Sequence, residues 1–328
     1  MARRLAALAE AVLLVLAAGC AGAEGGQGSI ARDFDLNERR VTERGGGDTT
    51  RFVVGSKDFA EQEILGHIAT AALRAAGAEV IDRTGLGDTT ETRQALRSGE
   101  IDLYWEYTGT GWLIALGQAA PDDRRRLYPD LVRLDRERNG IAWLEPAPAD
   151  NTYAIAVRED AGEQDPDLEA VQTISDLAAL LREQPSKATL CVGPEFHERA
   201  DGLPGLAPAY GLQFPPQGVL VLPDETVYNA VADGQRCNFG SVFATNGLIS
   251  ALGLRLLEDD AGYFVPYHPA VTMSQATLDD HPALAGLFAR ISPQLDTGTL
   301  RDLSAQVLVD GRSPADVADA WLREQDLL

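Results

Sequence analysis

The chain has 328 residues, with 28 Lys and Arg against 50 Asp and Glu, a net charge of −22 and a pI near 4.5. That balance excludes a nucleic-acid partner, whose phosphates demand a basic face, and it excludes docking on anionic lipid by charge alone. The length allows one large domain or two of ordinary size.

Residues 1–19 predict a targeting segment rather than part of the fold. Arg3 and Arg4 give a positive start, AVLLVLAAG is a short apolar run, and Cys20 follows it. The run is too short to span a bilayer. LAAGC resembles the lipobox of bacterial lipoproteins, although Ala17 stands where Leu is commonest. On that reading Cys20 is acylated, becomes the mature N-terminus and anchors the protein to the outer face of the cytoplasmic membrane. A plain secretory signal or a weak twin-arginine one is the rival. Each of them exports the protein. The stretch 20–50, with seven Gly and few large apolar side chains, predicts a flexible tether. Thirty such residues span about 30 Å root-mean-square.

From residue 51, strand-like runs alternate with helical ones. RFVVGS reads as a strand. In the following KDFAEQEILGHIATAALRAAG, Ile64, Leu65, Ile68, Ala72 and Leu73 repeat at helical spacing. Asp58 and Glu61 are spaced as a capping box, and Gly77 supplies the stop. AEVIDRTGL is the next strand, Asp88 and Glu91 open a second helix ending near Gly99, and IDLYWEY is a third strand. This βαβαβ order predicts a parallel sheet covered by helices. A Pro- and Ala-rich passage, LEPAPAD, precedes a restart. TYAIAV, KATLCVG, GVLVLP and CNFGSVF read as strands, and TISDLAALLRE and DETVYNAVADG as helices. The last helix, SPADVADAWLRE, opens on Ser313 with Pro314 in its first turn. Two α/β halves joined by short connections imply a cleft, where ligands usually bind.

Enzyme signatures are missing: GxxxxGK[ST], GxSxG and HExxH do not occur, and GLGDTT lacks the third Gly of a dinucleotide fingerprint. The four His (His67, His197, His268, His281) are scattered without metal-ligand spacing, so neither a metal site nor a cofactor is expected. His67 reads as a partly exposed helix residue. Apart from Cys20 the chain has only Cys191 and Cys237. In an exported chain two Cys point to one disulfide, with two buried thiols as the alternative.

Four of the 21 aromatic residues fall in DLYWEYTGTGW, from Asp102 to Trp112, interleaved with Thr and Gly. With VGSKDFAEQEILG, LGDTTETRQALRSGEIDLYWEYTGTG, DNTYAIAV, PEFHERADGLPGLAPAYGL and SVFATNG…VPYHPAV, in that order, the chain resembles the osmoprotectant-binding proteins of ABC importers. That resemblance covers 51–328. It implies a two-lobed periplasmic-binding-protein fold of the second topological type, each lobe a mixed, mainly parallel sheet covered by helices. Lobe I would comprise 51–150 and 266–328, and lobe II 151–265. Family topology would also set the strands bearing Cys191 and Cys237 side by side.

The family binds quaternary ammonium compounds, which carry a positive charge but no N–H. Hydrogen bonds cannot grip such a head, whereas ring faces attract it by about 0.5–2 kcal/mol each. The resemblance places the cage rings at Tyr107, Tyr153, Phe243 and Tyr267, with Phe243 standing where Tyr is usual. It places contacts to a ligand carboxylate at Lys57, Thr110 and Arg199. Core packing is the competing role for Tyr153 and Phe243, and solvated surface charge for Lys57 and Arg199. Tyr104 and Trp105 read as structural, and Trp112 as a residue of the cleft edge. The resulting expectation is a monomeric, non-catalytic receptor that closes on a glycine-betaine-type solute and delivers it to an ABC permease. A same-fold receptor for an amino acid or polyamine is the nearer rival, and an exported α/β enzyme the more distant one.

Overall fold

The computed structural model describes residues 29–37 and 49–328. The targeting segment, Cys20 and the remainder of the tether lie outside the described residues. Among the described residues, ten strands form two five-stranded sheets. They are β1 (Arg51–Gly55), β2 (Glu79–Arg83), β3 (Leu103–Tyr107), β4 (Ile141–Trp143), β5 (Tyr153–Arg158), β6 (Leu190–Val192), β7 (Val219–Val221), β8 (Phe239–Phe243), β9 (Leu254–Leu256) and β10 (Pro269–Ser274). The sheet orders are β2-β1-β3-β10-β4 and β7-β6-β8-β5-β9. In the first, β1 runs parallel to both β2 and β3, while β10 inserts antiparallel between β3 and β4. The chain therefore leaves one sheet after β4, builds the other, and returns. β4, β9 and β10 were not recognisable as strands in the sequence.

Helix Ala60–Ala75 buries Ile64, Leu65, Ile68, Ala72 and Leu73 completely against the first sheet. Side chains of β3 alternate between two cores. Leu103 and Trp105 join the one under this helix, and Tyr104 packs with Leu131 and Trp143 on the opposite face. Capping boxes form at Asp88 with Glu91 and at Thr173 with Asp176, and Ser313 caps the helix Pro314–Glu324. Each such cap contributes about 1 kcal/mol. The box expected at Asp58 and Glu61 does not form. The helix starts at Ala60 behind Phe59 without a side-chain cap, because Glu61 is drawn inward to other partners.

Part of the expected tether is packed against lobe I. Ile30 is fully buried and Leu36 nearly so, both within the core under Ala60–Ala75. Backbone bonds run from Ile30 N to Leu327 O at 2.9 Å and from Leu36 N to Ala76 O at 2.9 Å. The composition of 21–50 hid this. Two aliphatic side chains cannot make a core, but they can complete one, at about 1.5–3 kcal/mol for each buried.

The two chain crossings between the sheets lie side by side. Leu144 N bonds Val271 O at 2.9 Å, Ala147 N bonds Pro269 O at 2.8 Å, and Asn151 N bonds Tyr267 O at 3.1 Å. In the second sheet, parallel neighbours β6 and β8 bring Cys191 and Cys237 to a Cα separation of 5.7 Å, and the two are joined as a disulfide. Among the described residues no helix is long and apolar enough to cross a membrane.

Candidate functional site

The crossings and the strand ends beside them deliver rings to one place. Tyr107 ends β3. Tyr153 opens β5 directly opposite Phe243 at the end of β8. Tyr267 sits on the returning crossing. The ring centroids of Tyr153 and Phe243 are 5.1 Å apart and stacked, and those of Tyr153 and Tyr267 are 6.1 Å apart, edge to face. A fifth ring, Phe59, lies 5.4 Å from Phe243 and 6.4 Å from Tyr107, nearly parallel to both. These rings wall a narrow cavity together with Lys57, Thr110, Asn151, Glu195 and Arg199. All seven side chains singled out in the sequence thus meet in one cavity. The Gly of YTGT has a steric reason here, since a Cβ on Gly109 would lie 2.8 Å from the Tyr267 ring.

Both cations of the wall are already paired. Lys57 Nζ lies 2.8 Å from Glu106 Oε1 and 3.0 Å from Thr89 Oγ1, and Lys57 and Glu106 are almost completely buried. Arg199 donates to Glu195 at 2.7 Å, to Asp201 through two nitrogens at 2.9 and 2.6 Å, and to Thr89 and Thr110 at 3.3 Å each. Those bonds engage all five guanidinium N–H groups. Lys57 retains a third N–H. The Thr110 hydroxyl accepts from Arg199, which leaves its own hydrogen to donate. Arg199 also lies 5.7 Å from the centroid of Tyr153, and Tyr267 donates its hydroxyl to Asp201.

Glu195 connects the two lobes. Its Oε1 accepts from Thr89 N at 2.9 Å, at the start of helix Thr89–Ser98. An anion there is favoured by unpaired N–H groups and the helix dipole. Burial would raise the Glu195 carboxyl, but Lys57, Arg199 and the Thr89 N–H outweigh it and bring its pKa to about 2. Glu61 behaves oppositely: burial raises its carboxyl above the ordinary value, against the influence of Thr245, Tyr107 and Asn151. Its Oε1 accepts from Tyr107 Oη and Asn151 Nδ2, both at 2.7 Å.

Sequence reasoning missed Phe59, Glu61, Glu106, Asn151, Glu195 and Asp201, although all lie within or beside the motifs quoted for the resemblance. Glu61 was read as a cap because its spacing from Asp58 permits one. Trp112 does not line the ring cavity. It packs with Tyr104 and Trp143, and its Nε1 donates to Ala119 O. Tyr104 and Trp105 are wholly buried, in keeping with structural roles. His67 contacts Asp82 at 3.3 Å, and the described residues contain no cluster suited to a metal ion.

Two mixed α/β sheets joined by paired crossings, with a ring-lined cavity between them, define a two-lobed type II solute-binding protein. A family model described as the substrate-binding domain of ABC-type glycine betaine transport systems matches residues 51–324, and the chain belongs to that family. It is 34% identical to the glycine betaine-binding protein YehZ of Escherichia coli K12 over 278 residues, covering 83% of this chain and 90% of the relative. It is 35% identical to a glycine-betaine-binding protein of Pseudomonas aeruginosa PAO1 over 280 residues, covering 84% and 88%. The solved structure of apo YehZ from E. coli superposes with a TM-score of 0.63 at 32% identity, covering 85% of this chain and 99% of that one. The family consists of substrate-binding receptors of importers, not enzymes.

Proposed function

We propose that this protein is an extracytoplasmic receptor that captures a quaternary ammonium osmoprotectant of the glycine betaine type and hands it to an ABC permease. The observation that carries the reading is the meeting of Tyr107, Tyr153, Phe243 and Tyr267 with Lys57, Thr110 and Arg199 around one cavity between the lobes. The rings suit a cation that offers no N–H. The third N–H of Lys57 and the Thr110 hydroxyl are the donors left for a ligand carboxylate, and Arg199 holds the lobes together beside them. We further propose a lipid anchor at Cys20 and a monomeric state, both of which fit a receptor presented at the outer face of the cytoplasmic membrane.

Titration calorimetry against glycine betaine, proline betaine, carnitine, choline, amino acids and a polyamine tests the reading. Micromolar binding, about −8 kcal/mol, is expected for the quaternary ammonium compounds, without turnover. Tyr107→Ala, Tyr153→Ala and Tyr267→Ala should each weaken it at least about tenfold, a loss of about 1.4 kcal/mol. Saturable binding confined to amino acids or polyamines, or two ring variants that bind like wild type, would refute it.

A further inference from the structure

Four of the rings around the cavity form one column. Tyr153, Phe243, Phe59 and Tyr107 follow one another with centroids 5.1, 5.4 and 6.4 Å apart and neighbouring planes no more than 28° from parallel. The column crosses between the lobes. Tyr153 and Phe243 stand on strands of the second sheet, whereas Tyr107 ends a strand of the first and Phe59 precedes the helix Ala60–Ala75. The end rings already carry cations, with Lys57 Nζ 5.3 Å from the centroid of Tyr107 and Arg199 5.7 Å from that of Tyr153. No ligand group fits between the inner rings as they stand. A single carbon touching two ring faces needs them about 7–8 Å apart, twice the usual contact distance. The whole cavity holds about 20 Å³, room for about one water molecule. Phe59 also stands where helix stability would not put it. It is the N-cap of Ala60–Ala75 and makes no capping bond, at a position where Ser, Asn or Asp would stabilise the helix. A local rule broken in this way marks a residue that serves another purpose.

Resting on the receptor reading above, we propose that Phe59 and Phe243 form a ring latch between the lobes, which a quaternary ammonium head must part in order to enter the cavity. The backbone beneath each ring is held. Phe243 N donates to the Tyr228 hydroxyl at 2.9 Å, and Phe59 O accepts from Glu63 N at 3.0 Å. Parting therefore falls to the side chains or to a separation of the lobes. Stacked rings attract one another beyond their burial, and a ligand must overcome that attraction before it gains the ring faces. The latched form thus lowers the apparent affinity in proportion to its population. Phe59 then acts with the opposite sign from the Tyr rings of the cavity. They raise affinity, whereas Phe59 lowers it and sets the solute concentration at which the receptor fills.

Phe59→Ser tests the latch, because it removes the ring and supplies the missing N-cap, so that the helix keeps its start. Phe59→Ala removes the ring alone and decides if the Ser variant does not fold. Titration calorimetry with glycine betaine should show the variant binding about three- to tenfold more tightly than wild type. Small-angle X-ray scattering without solute reads the latch separately. Wild type should be as compact as this structure and should contract no further when glycine betaine is added. Phe59→Ser should be more extended and should contract on that addition. An affinity that falls or stays level in the variant would overturn the latch and make Phe59 an ordinary wall of the cavity, with the receptor reading left standing. A scattering profile unchanged from wild type would overturn it as well. If wild type binds no quaternary ammonium compound, the receptor reading falls, and the scattering comparison alone decides the latch.

Discussion

Lys57 shows how a residue's environment can differ from what its place in the sequence suggests. Its position in GSK suggested either a ligand contact or a surface charge, but its ammonium is buried against Glu106. Glu106 in turn accepts from Tyr104 Oη and from Tyr107 N, each at 2.8 Å, so the pair supports the Tyr107 ring at the cavity wall. Removing one partner of a buried ion pair costs about 3–5 kcal/mol, since the other charge stays desolvated. Lys57→Met should therefore lower stability in urea by about that much, besides weakening carboxylate binding. The double variant Lys57→Met/Glu106→Gln should recover most of the stability, because no charge is left buried and Gln still accepts from Tyr107 N through its oxygen while its amide N–H donates to Tyr104 Oη. Wild-type stability in the single variant would mean that the pair contributes nothing net to the fold.

At the scale of elements, the second lobe depends on strands of three residues, such as β6 and β7, which have few ladder bonds to hold their register. The disulfide ties β6 to the entry of β8 across a sequence separation of 46. A cross-link of that span removes about 4 kcal/mol of denatured-state freedom in the chain-entropy picture. The exported protein should be two hydrogens lighter than its reduced form by mass spectrometry. Reduction should move the urea midpoint of lobe II downward by the equivalent of about 2–4 kcal/mol. Two thiols that alkylate freely in the unreduced protein would contradict the bond. The segment around Ile30 plays a comparable part in lobe I, where it covers the paired helices Ala60–Ala75 and Pro314–Glu324 without belonging to either.

For the whole molecule, some of the contacts between the lobes carry charge and so respond to pH. Glu195 titrates at about 2 in the folded molecule and at the ordinary 4.5 when unfolded. Its contribution is thus complete above about pH 4.5 and is lost as pH falls toward 2. Asp224 runs the other way. Burial first, then the carboxylates of Glu195, Asp58 and Glu225, raise it from 3.8 to about 6. Its protonated form favours the fold, so stability falls as pH rises from about 4 through 6. Melting temperatures from pH 2 to 8 should show both limbs. Asp224→Asn should flatten the limb between about 4 and 6, and Glu195→Gln the limb below 4.5. Unchanged profiles in these variants would show that other groups govern the acid response.

Periodicity made the helix Ala60–Ala75 and the βαβαβ order of the first lobe legible in the sequence, because those signals are local. Apolar spacing, cap residues and stop glycines each act within a few residues of chain. The motif order likewise exposed the seven cavity residues, since each stands in a run that keeps its character when read alone. What the sequence could not decide was pairing at a distance. The return of β10 between β3 and β4, the docking of Ile30, and the partners of Lys57, Arg199 and Glu61 all bring together positions far apart in the chain. Asp58 and Glu61 mark the limit: the local rule allows a cap, but burial beside Tyr107 and Asn151 gives the Glu61 carboxylate stronger partners. Side-chain type and spacing thus fixed which groups were available. Tertiary structure decided which charges neutralise one another and which polar atoms remain for a ligand, because desolvation depends on what the fold places around each group.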